Sequence, residues 1–389
     1  MPVKILVVDD EPDLEPLILQ RFRRRIRSDE FLFHFAANGT QALSTLESNP
    51  DINIVLTDIN MPQMDGLTLL SHLAELDRLL KAVVISAYGD MDNIRTAMNR
   101  GAFDFLTKPI DFNDLEITID KTIRELESLR EGVRARTDLM FVQKELDVAA
   151  QIQQSLLPKT FPPFPDRPEI DVFAVMEPAR QVGGDFYDFF WLDETHLGFT
   201  IGDVAGKGVP AAILMAVTRT LVKAIALRGS SPEECLGLVN RILASESAPE
   251  MFVTGIFGSL DVTTGRVRYA NAGHNAPFHC SAAGGATALP NIGGLVLGIL
   301  PEAIYTAAEM QLAPGDTLFL YTDGVTEAMN NSRGLYGDDR LSAYMGQVAT
   351  TLPQAVCAGL SRELVVFIGG AAQHDDITML ALRFNGPAN

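Results

Sequence analysis

Cysteine, positive charge and long apolar runs are all scarce in this sequence, and each scarcity excludes a class of protein. The three cysteines, Cys235, Cys280 and Cys357, lie far apart and form no CxxC pair, which argues against a disulfide framework or a zinc site. The 31 basic side chains are outnumbered by 50 acidic ones, giving a net charge of −19. We therefore do not expect nucleic-acid phosphate to be the main partner, because such binding depends on excess Lys and Arg.

No apolar stretch approaches the ~18–20 residues that span a bilayer. The N-terminal MPVKILVVDDEP reaches two aspartates too early for a signal peptide. The sequence therefore predicts a cytoplasmic protein, not associated with a membrane, whose thiols are reduced and buried. Its 389 residues suggest two or three domains.

Residues 1–122 alternate short apolar runs with amphipathic, helix-like segments. Runs such as Ile5–Val8 and Ile52–Leu56 are continuous in Val, Ile and Leu, as in strands that are covered on both faces. Five such strands alternating with about five helices predict a doubly wound α/β domain with a five-stranded parallel sheet. The predicted strands are Lys4–Val8, Phe31–Ala36, Ile52–Thr57, Ala82–Ser86 and Phe103–Thr107.

Residues 123–158 have a different texture, rich in Glu, Arg, Leu and Gln, with apolar residues at a spacing of three to four. We predict a long, coiled-coil-like linker helix with a slip or hinge near Gly132, which pairs two copies of the chain as a homodimer. A single connecting helix without a partner is the alternative. Five prolines from Pro158 to Pro168 then mark a domain boundary.

Residues 159–389 place strands and helices in blocks, which favours a mixed α+β domain over a second doubly wound sheet. The predicted strands are Val172–Val175, His196–Ile201, Phe252–Val262, Thr317–Tyr321 and Thr378–Leu382. The predicted helices are Val209–Leu227, Pro232–Ala244 and Pro353–Phe367.

Polar side chains follow four of the five strands of the first domain, namely Asp9 and Asp10, Asp58, Ser86 and Lys108. In a parallel sheet these positions collect along one edge, where such folds bind ligands. Three crowded carboxylates repel one another unless a cation lies among them, and Mg²⁺ prefers oxygen ligands. A carboxylate beside Mg²⁺ can attack a phosphoryl group and become an aspartyl phosphate.

The strings VVDDEP, LTDINMPQMDG, ISAYG and TKPI resemble the receiver domain of two-component response regulators over residues 1–122. That resemblance implies phosphorylation by a sensor histidine kinase or a phosphotransfer protein. It implies that Asp58 is the phosphoacceptor and that the Mg²⁺ ligands are Asp9, Asp10, Asp58 and the backbone carbonyl of Asn60. It also implies that the residues that respond to phosphorylation are Ser86, Phe105 and Lys108.

The second domain carries aspartates beside glycine turns, in the strings GGDFYD, GDVAGKG, TDGVTEA and HDDIT. Glycine lets the backbone turn sharply, so the carboxylates can point into one pocket. Such a set favours Mg²⁺ or Mn²⁺ over zinc. Two such ions can activate water for attack on a phosphoryl group. The GxxxxGK loop is absent, so ATP use by this domain is not expected.

These strings, with QIQQSLLP and NAGHNAP, resemble the SpoIIE-like branch of the PPM-type serine/threonine phosphatases over residues 150–385. The resemblance implies a β-sandwich flanked by helices. It implies the metal ligands Asp185, Asp203, Asp323, Asp375 and the carbonyl of Val204, with Asp376 left open as an alternative to the favoured Asp375. For His274, a phosphate contact and a turn-stabilising role both remain open. For Lys207, a phosphate contact and a solvated surface position both remain open. Asp188 either orders the surroundings of the site or caps a turn.

Together the two halves predict a phosphorylation-controlled response regulator with an enzymatic output domain. By resemblance, that domain hydrolyses phosphoserine or phosphothreonine on a partner protein, an anti-sigma-factor antagonist, through water activated by two metal ions. The alternative is a non-catalytic adaptor that binds a sigma factor or protease under the control of receiver phosphorylation. A DNA-binding regulator is disfavoured, because the chain is acidic and has no basic recognition helix.

Overall fold

The computed structural model describes residues 2–87, 90–246 and 251–387. It consists of two compact units, Met1–Phe141 and Val142–Asn389. The three-part division into residues 1–122, 123–158 and 159–389 stays a prediction.

The first unit is built on a parallel sheet with the strand order β2-β1-β3-β4-β5. Its strands are β1 (Val3–Val8), β2 (Phe31–Ala36), β3 (Ile54–Asp58), β4 (Lys81–Ala87) and β5 (Asp104–Lys108). Its helices are α1 (Leu14–Arg21), α2 (Arg23–Arg27), α3 (Gly39–Ser48), α4 (Gly66–Ala74), α5 (Met91–Asn99) and the N-terminal part of α6 (Phe112–Leu156).

Alternating side chains of each central strand enter separate cores on the two faces of this sheet. Leu6 and Val55 pack with residues of α3 and α4 on one face, whereas Ile5 and Leu56 pack with residues of α1 and α6 on the other. Burial on both faces explains the unbroken Val/Ile/Leu runs in the sequence. The predicted doubly wound α/β fold is confirmed.

Helix α6 is one continuous element of 45 residues that passes through Gly132 without a break. Near its start, Leu115, Ile119 and Leu126 are buried against the sheet of the first unit. Farther along, the apolar side chains of residues 139–142 are more than half exposed. Pairing of this helix with a second copy stays a prediction.

The second unit contains two antiparallel five-stranded sheets, with the orders β13-β10-β9-β8-β7 and β12-β11-β14-β15-β6. The strands of the first sheet are β7 (Phe186–Trp191), β8 (His196–Val204), β9 (Val253–Asp261), β10 (Arg266–Ala272) and β13 (Ala307–Gln311). Those of the second are β6 (Ile170–Glu177), β11 (Phe278–Cys280), β12 (Ala286–Ala288), β14 (Thr317–Tyr321) and β15 (Ile377–Phe384).

The two sheets share one apolar core and are flanked by helices on their outer faces. The helices are α7 (Val209–Ala226), α8 (Pro232–Glu246), α9 (Gly337–Val348) and α10 (Pro353–Ile368). Strand β15 shows the layering, because Leu380 and Leu382 enter the core between the sheets while Met379 and Ala381 pack with α9 and α10. The predicted β-sandwich with flanking helices is confirmed.

Helix α7 corrects the expectation that no segment is long and apolar enough to cross a membrane. By length and composition it qualifies, with a mean hydropathy of 1.6 over 18 residues. Arg219 and Lys223 interrupt the apolar run of this helix in the sequence. Both cations pair with the buried carboxylate of Asp188 on β7, at 2.7 and 3.4 Å. Asp188 thus ties β7 to α7.

Candidate functional site

The first acidic cluster lies at the carboxyl edge of the parallel sheet. Asp9 follows β1, Asp58 ends β3 and Lys108 ends β5. Ligand-capable oxygens of Asp9, Asp10 and Asp58 all lie within 4.8 Å of one another. The Lys108 Nζ atom lies 2.7 Å from Asp58 Oδ2 and 3.1 Å from Asp9 Oδ2. The geometry therefore brings together three carboxylates and one ammonium group, as the sequence predicted.

Burial and hydrogen bonding act on this cluster in opposite directions. Burial raises the pKa of Asp9, although its bonds to the Glu11 amide and to Lys108 partly offset the effect. Burial disfavours the charged form of Lys108, but hydrogen bonds with Asp58, Glu11 and Asp9 outweigh it and raise the pKa of Lys108. Glu11, whose carboxylate is 2.8 Å from Lys108 Nζ, was not predicted, although it stands in the VVDDEP string.

The remaining predicted residues of this unit are Asn60, Ser86 and Phe105. The Asn60 amide donates to Asp58 Oδ1 at 3.3 Å. Ser86 is fully buried on β4, one residue beyond the Ile85 that pairs with Asp58 in the sheet, and its hydroxyl donates to Asp90 at 3.5 Å. Phe105 is 39% exposed on β5.

The second cluster forms where four strands of the sandwich begin or end. Asp185 immediately precedes β7, and the pairing of Phe186 with Gly202 sets it beside Asp203 near the end of β8. In the other sheet, Asp323 lies two residues after the end of β14, and Asp375 and Asp376 precede β15, the strand paired with β14. The Thr322 hydroxyl donates to Asp185 Oδ2 at 2.7 Å and so links the two sheets at this site.

Asp375 and Asp376 have different surroundings. Asp376 Oδ1 accepts from the Ala179 amide at 2.8 Å, and Oδ2 accepts from the Gly184 amide at 2.6 Å. Both of its oxygens are therefore used to hold backbone, and a Cβ added at Gly183 would come within 2.3 Å of Oδ2. The Asp375 carboxylate is about one-third exposed and lies 3.0 Å from the ammonium of Lys207.

The carboxylates of this second cluster disfavour one another's charged forms. Burial, and then the charge of Asp203, raises the pKa of Asp185 well above its ordinary value. Burial, and then the charge of Asp323, raises the pKa of Asp203 to about 7. Asp323 has a pKa of about 6, raised by burial and by Glu327 and Asp375. A divalent cation would relieve this repulsion, so the residues present fit such an ion.

Within the described ranges, three acidic groups with ligand atoms all inside 4.8 Å occur only in the first cluster. In the second cluster, the backbone before Asp185 lies close to the strand that carries Asp203. A Cβ at Gly184 would lie 2.8 Å from the carbonyl oxygen of Val204, so glycine lets this turn approach the strand that carries Asp203. The Val204 carbonyl therefore faces the turn that precedes Asp185.

In the absence of divalent ions, the free energy of unfolding of this unit should fall as pH rises from about 4 to about 7. In the folded state the pKa of Asp203 is about 7, whereas its ordinary pKa is 3.8. Between these two pH values the folded state therefore binds more protons than the unfolded state. The stabilising contribution is complete below pH 4 and lost above pH 7. Relative to Asp203→Asn, the free energy of unfolding of wild type should fall by about 2–4 kcal/mol as the pH rises through this range.

The measurement is urea unfolding with a chelator present, followed by the fluorescence of Trp191, the single tryptophan of the chain. Trp191 belongs to β7 of the second unit, so its signal reports that unit. A stability difference between the two proteins that does not change with pH would contradict the prediction.

The structure also shows the contacts of His274 and Lys207, whose roles the sequence leaves open. His274 is buried with its Nδ1 atom 2.9 Å from Thr254 Oγ1, and burial lowers its pKa to about 4. Its backbone exchanges hydrogen bonds with the Asn271 side chain, which favours the turn-stabilising role. Lys207 also donates to the His374 carbonyl, so it is bound to the loop that carries Asp375.

Comparisons with known proteins assign both units to families. The family model described as the response regulator receiver domain matches residues 5–120. The model described as stage II sporulation protein E (SpoIIE) matches residues 193–385.

Individual relatives and structures agree with these matches. Protein IcfG of Synechocystis sp. is 32% identical over 268 residues, which are 62% of this chain and 42% of IcfG. Phosphoserine phosphatase RsbU of Bacillus subtilis is 28% identical over 272 residues, 70% of this chain and 79% of RsbU. The solved SiaA-PP2C domain of Pseudomonas aeruginosa has a TM-score of 0.57 at 24% identity, covering 64% of this chain and 98% of that one. This last likeness concerns the fold alone.

Proposed function

The chain belongs to the response regulators that join an N-terminal receiver domain to a SpoIIE-type PPM phosphatase domain, and from this premise we propose that it is a metal-dependent protein phosphatase controlled by aspartyl phosphorylation. The proposed substrate is phosphoserine or phosphothreonine on a partner protein, an anti-sigma-factor antagonist. The observation that carries this proposal is the placement of these acids: strand pairing sets Asp185 beside Asp203, and Thr322, next to Asp323, binds the Asp185 carboxylate. Burial and the neighbouring carboxylates raise the pKa values of Asp185, Asp203 and Asp323 there.

In the receiver we propose Asp58 as the phosphoacceptor and a sensor histidine kinase or phosphotransfer protein as the donor. The proposed Mg²⁺ ligands are Asp9, Asp10, Asp58 and the carbonyl of Asn60. A carboxylate oxygen of Asp58 attacks the phosphorus, and the donor's leaving group departs. Lys108, already 2.7 Å from Asp58, is positioned to pair with a new phosphoryl oxygen, and Ser86 and Phe105 would respond to it.

In the phosphatase unit the proposed ligands of Mg²⁺ or Mn²⁺ are Asp185, Asp203, Asp323, Asp375 and the carbonyl of Val204. The use of both Asp376 oxygens by backbone amides supports Asp375 as the ligand. When bound, a pair of such ions lowers the pKa of coordinated water and stabilises charge on the phosphoryl group. The chain's own part is to hold these oxygens in place, for which the Thr322 hydroxyl and the glycine turns are suited.

We further propose that the protein acts in the cytoplasm and forms a homodimer through α6. Three buried free cysteines are in keeping with a reducing compartment. Exposed apolar residues along α6, among them Leu139 and Phe141, supply the surface that a second helix would cover.

The test is release of phosphate from a phosphorylated antagonist protein by the full chain, with Mn²⁺ titrated against a chelator. We expect turnover that requires the ion and stops when it is removed. A protein phosphorylated only on tyrosine serves as the control substrate and should not be hydrolysed.

Stable binding of the antagonist without turnover at any Mn²⁺ concentration would contradict the proposal and favour the adaptor alternative. Calorimetry on the same preparation then separates the two cases, because an adaptor has no need to take up Mn²⁺ in the second unit.

A further inference from the structure

The end of helix α6 reaches the glycine turn that precedes Asp185 through one side chain, Gln153. The Gln153 Nε2 atom donates to the Gly183 carbonyl, and the Gly183 amide donates to Gln153 Oε1 at 3.1 Å. A single amide side chain thus satisfies both backbone polar groups of one residue. Gln153 is only 6% exposed, while its neighbours on the helix are exposed.

We propose that Gln153 is a positioning residue, which sets the place of Asp185 and thereby the metal affinity of the phosphatase unit. The proposal rests on the proposed function, because it assigns Gln153 a role toward the ion that Asp185 is proposed to hold.

The turn between β6 and β7 is bound by two side chains, Asp376 and Gln153. The Gly184 amide donates to Asp376 Oδ2 at 2.6 Å. Gln153 forms hydrogen bonds with both the amide and the carbonyl of Gly183. A side chain at Gly183 would collide with Asp376 Oδ2, so a glycine there lets Asp376 approach. The Asp185 side chain is bound by Thr322, and Gln153 holds the backbone two residues before it.

The same helix end is fixed to the sandwich beyond Gln153. Leu157, four residues later, is buried in the core of the second unit. The Tyr187 hydroxyl, on β7, donates to the Pro158 carbonyl at 2.7 Å. A shift or rotation of the end of α6 would therefore be transmitted to the backbone next to Asp185 through the paired hydrogen bonds of Gln153.

Loss of these two bonds leaves the buried amide and carbonyl of Gly183 unpaired, which the turn can relieve only by moving. Residues that orient metal ligands typically change metal affinity by about 10–100-fold when removed. We expect Gln153→Met, which keeps the length and volume of the side chain, to weaken Mn²⁺ binding by about 10-fold. Its turnover should recover at saturating Mn²⁺, because Gln153 does not touch the substrate.

The experiment uses the full chain and measures Mn²⁺ binding by calorimetry, together with amide hydrogen exchange at residues 183–185. Gln151→Met, an exposed position on the same helix, is the matched control and should bind Mn²⁺ like wild type. Gln153→Glu keeps an acceptor for the Gly183 amide but sets a carboxylate oxygen against the Gly183 carbonyl, so it too should bind Mn²⁺ more weakly than wild type. Faster exchange at residues 183–185 should accompany the weaker binding.

Equal Mn²⁺ affinity and equal exchange in Gln153→Met and wild type would overturn the role of Gln153 alone. No Mn²⁺ binding by the wild-type phosphatase unit would overturn the proposed function instead. If Trp191 fluorescence shows that Gln153→Met does not fold, the comparison of Gln153→Glu with wild type decides the question by the same two measurements.

Discussion

Replacement of Asp203 by asparagine is expected to abolish phosphatase activity and, at the same time, to stabilise the metal-free protein. Asp203 is the carboxylate whose pKa is raised to about 7 by burial and by the charges of Asp323, Asp375 and Asp376. Asparagine has nearly the same shape but carries no charge, so it removes both a proposed metal ligand and a source of repulsion. The two effects should therefore have opposite signs.

The expected loss of activity is large. A metal ion contributes several kcal/mol of transition-state stabilisation, and about 4 kcal/mol corresponds to about a 10³-fold change in rate. We expect kcat to fall by at least about this factor at Mn²⁺ concentrations that saturate wild type. At pH 8 with a chelator, the free energy of unfolding of the variant should exceed that of wild type by about 2–4 kcal/mol.

Asp166→Asn provides the matched control, because Asp166 is an exposed aspartate of the same unit. Its activity should equal that of wild type, and its stability should differ by no more than about 0.5 kcal/mol. Wild-type turnover in Asp203→Asn would contradict the metal mechanism. A variant that lost both activity and stability would contradict the repulsion that we assign to this cluster.

Apolar runs in the sequence were enough to predict the strands of the parallel sheet. The runs Ile5–Val8 and Ile52–Leu56 predict strands because both faces of that sheet are covered. In the second unit the pattern misses strands β7, β10, β11, β12 and β13, and helix α9, although β7 is almost entirely buried. In β13 the segment AAEMQ has no buried residue, so no apolar run marks it as a strand.

Site residues were predictable as a set, but not their individual surroundings. Aspartates beside glycines indicate convergence, yet HDDIT alone does not distinguish Asp375 from Asp376. The distinction comes from amides 192 and 197 residues away, at Gly184 and Ala179. The pairing of Gln153 with Gly183 is likewise hidden, because no periodicity along α6 encodes a partner 30 residues later.

Asp58→Asn is expected to take up no phosphoryl group from a small-molecule phosphodonor in the presence of Mg²⁺. The Asp58 carboxylate is largely buried at the sheet edge and faces Lys108 and the Asn60 amide, and an asparagine amide is not a comparable nucleophile. Wild type should gain one phosphoryl group per chain, measured by intact mass. Asp51→Asn is the matched control, because this exposed aspartate pairs with Lys4 at the opposite edge of the sheet.

Phosphorylation should also change the phosphatase rate of wild type and leave that of Asp58→Asn unaltered. The phosphoryl group adds a charge of about −1.5 to −2 beside Lys108, whose ammonium is held by Asp58, Asp9 and Glu11. The new charge should redistribute those ion pairs. Helix α6 begins four residues after Lys108, so it is placed to respond to this change.

The measurement is phosphate release from the antagonist, with and without the phosphodonor. Equal rates for phosphorylated and unphosphorylated wild type would contradict control of the output domain by the receiver, while the metal site would remain testable through Asp203→Asn.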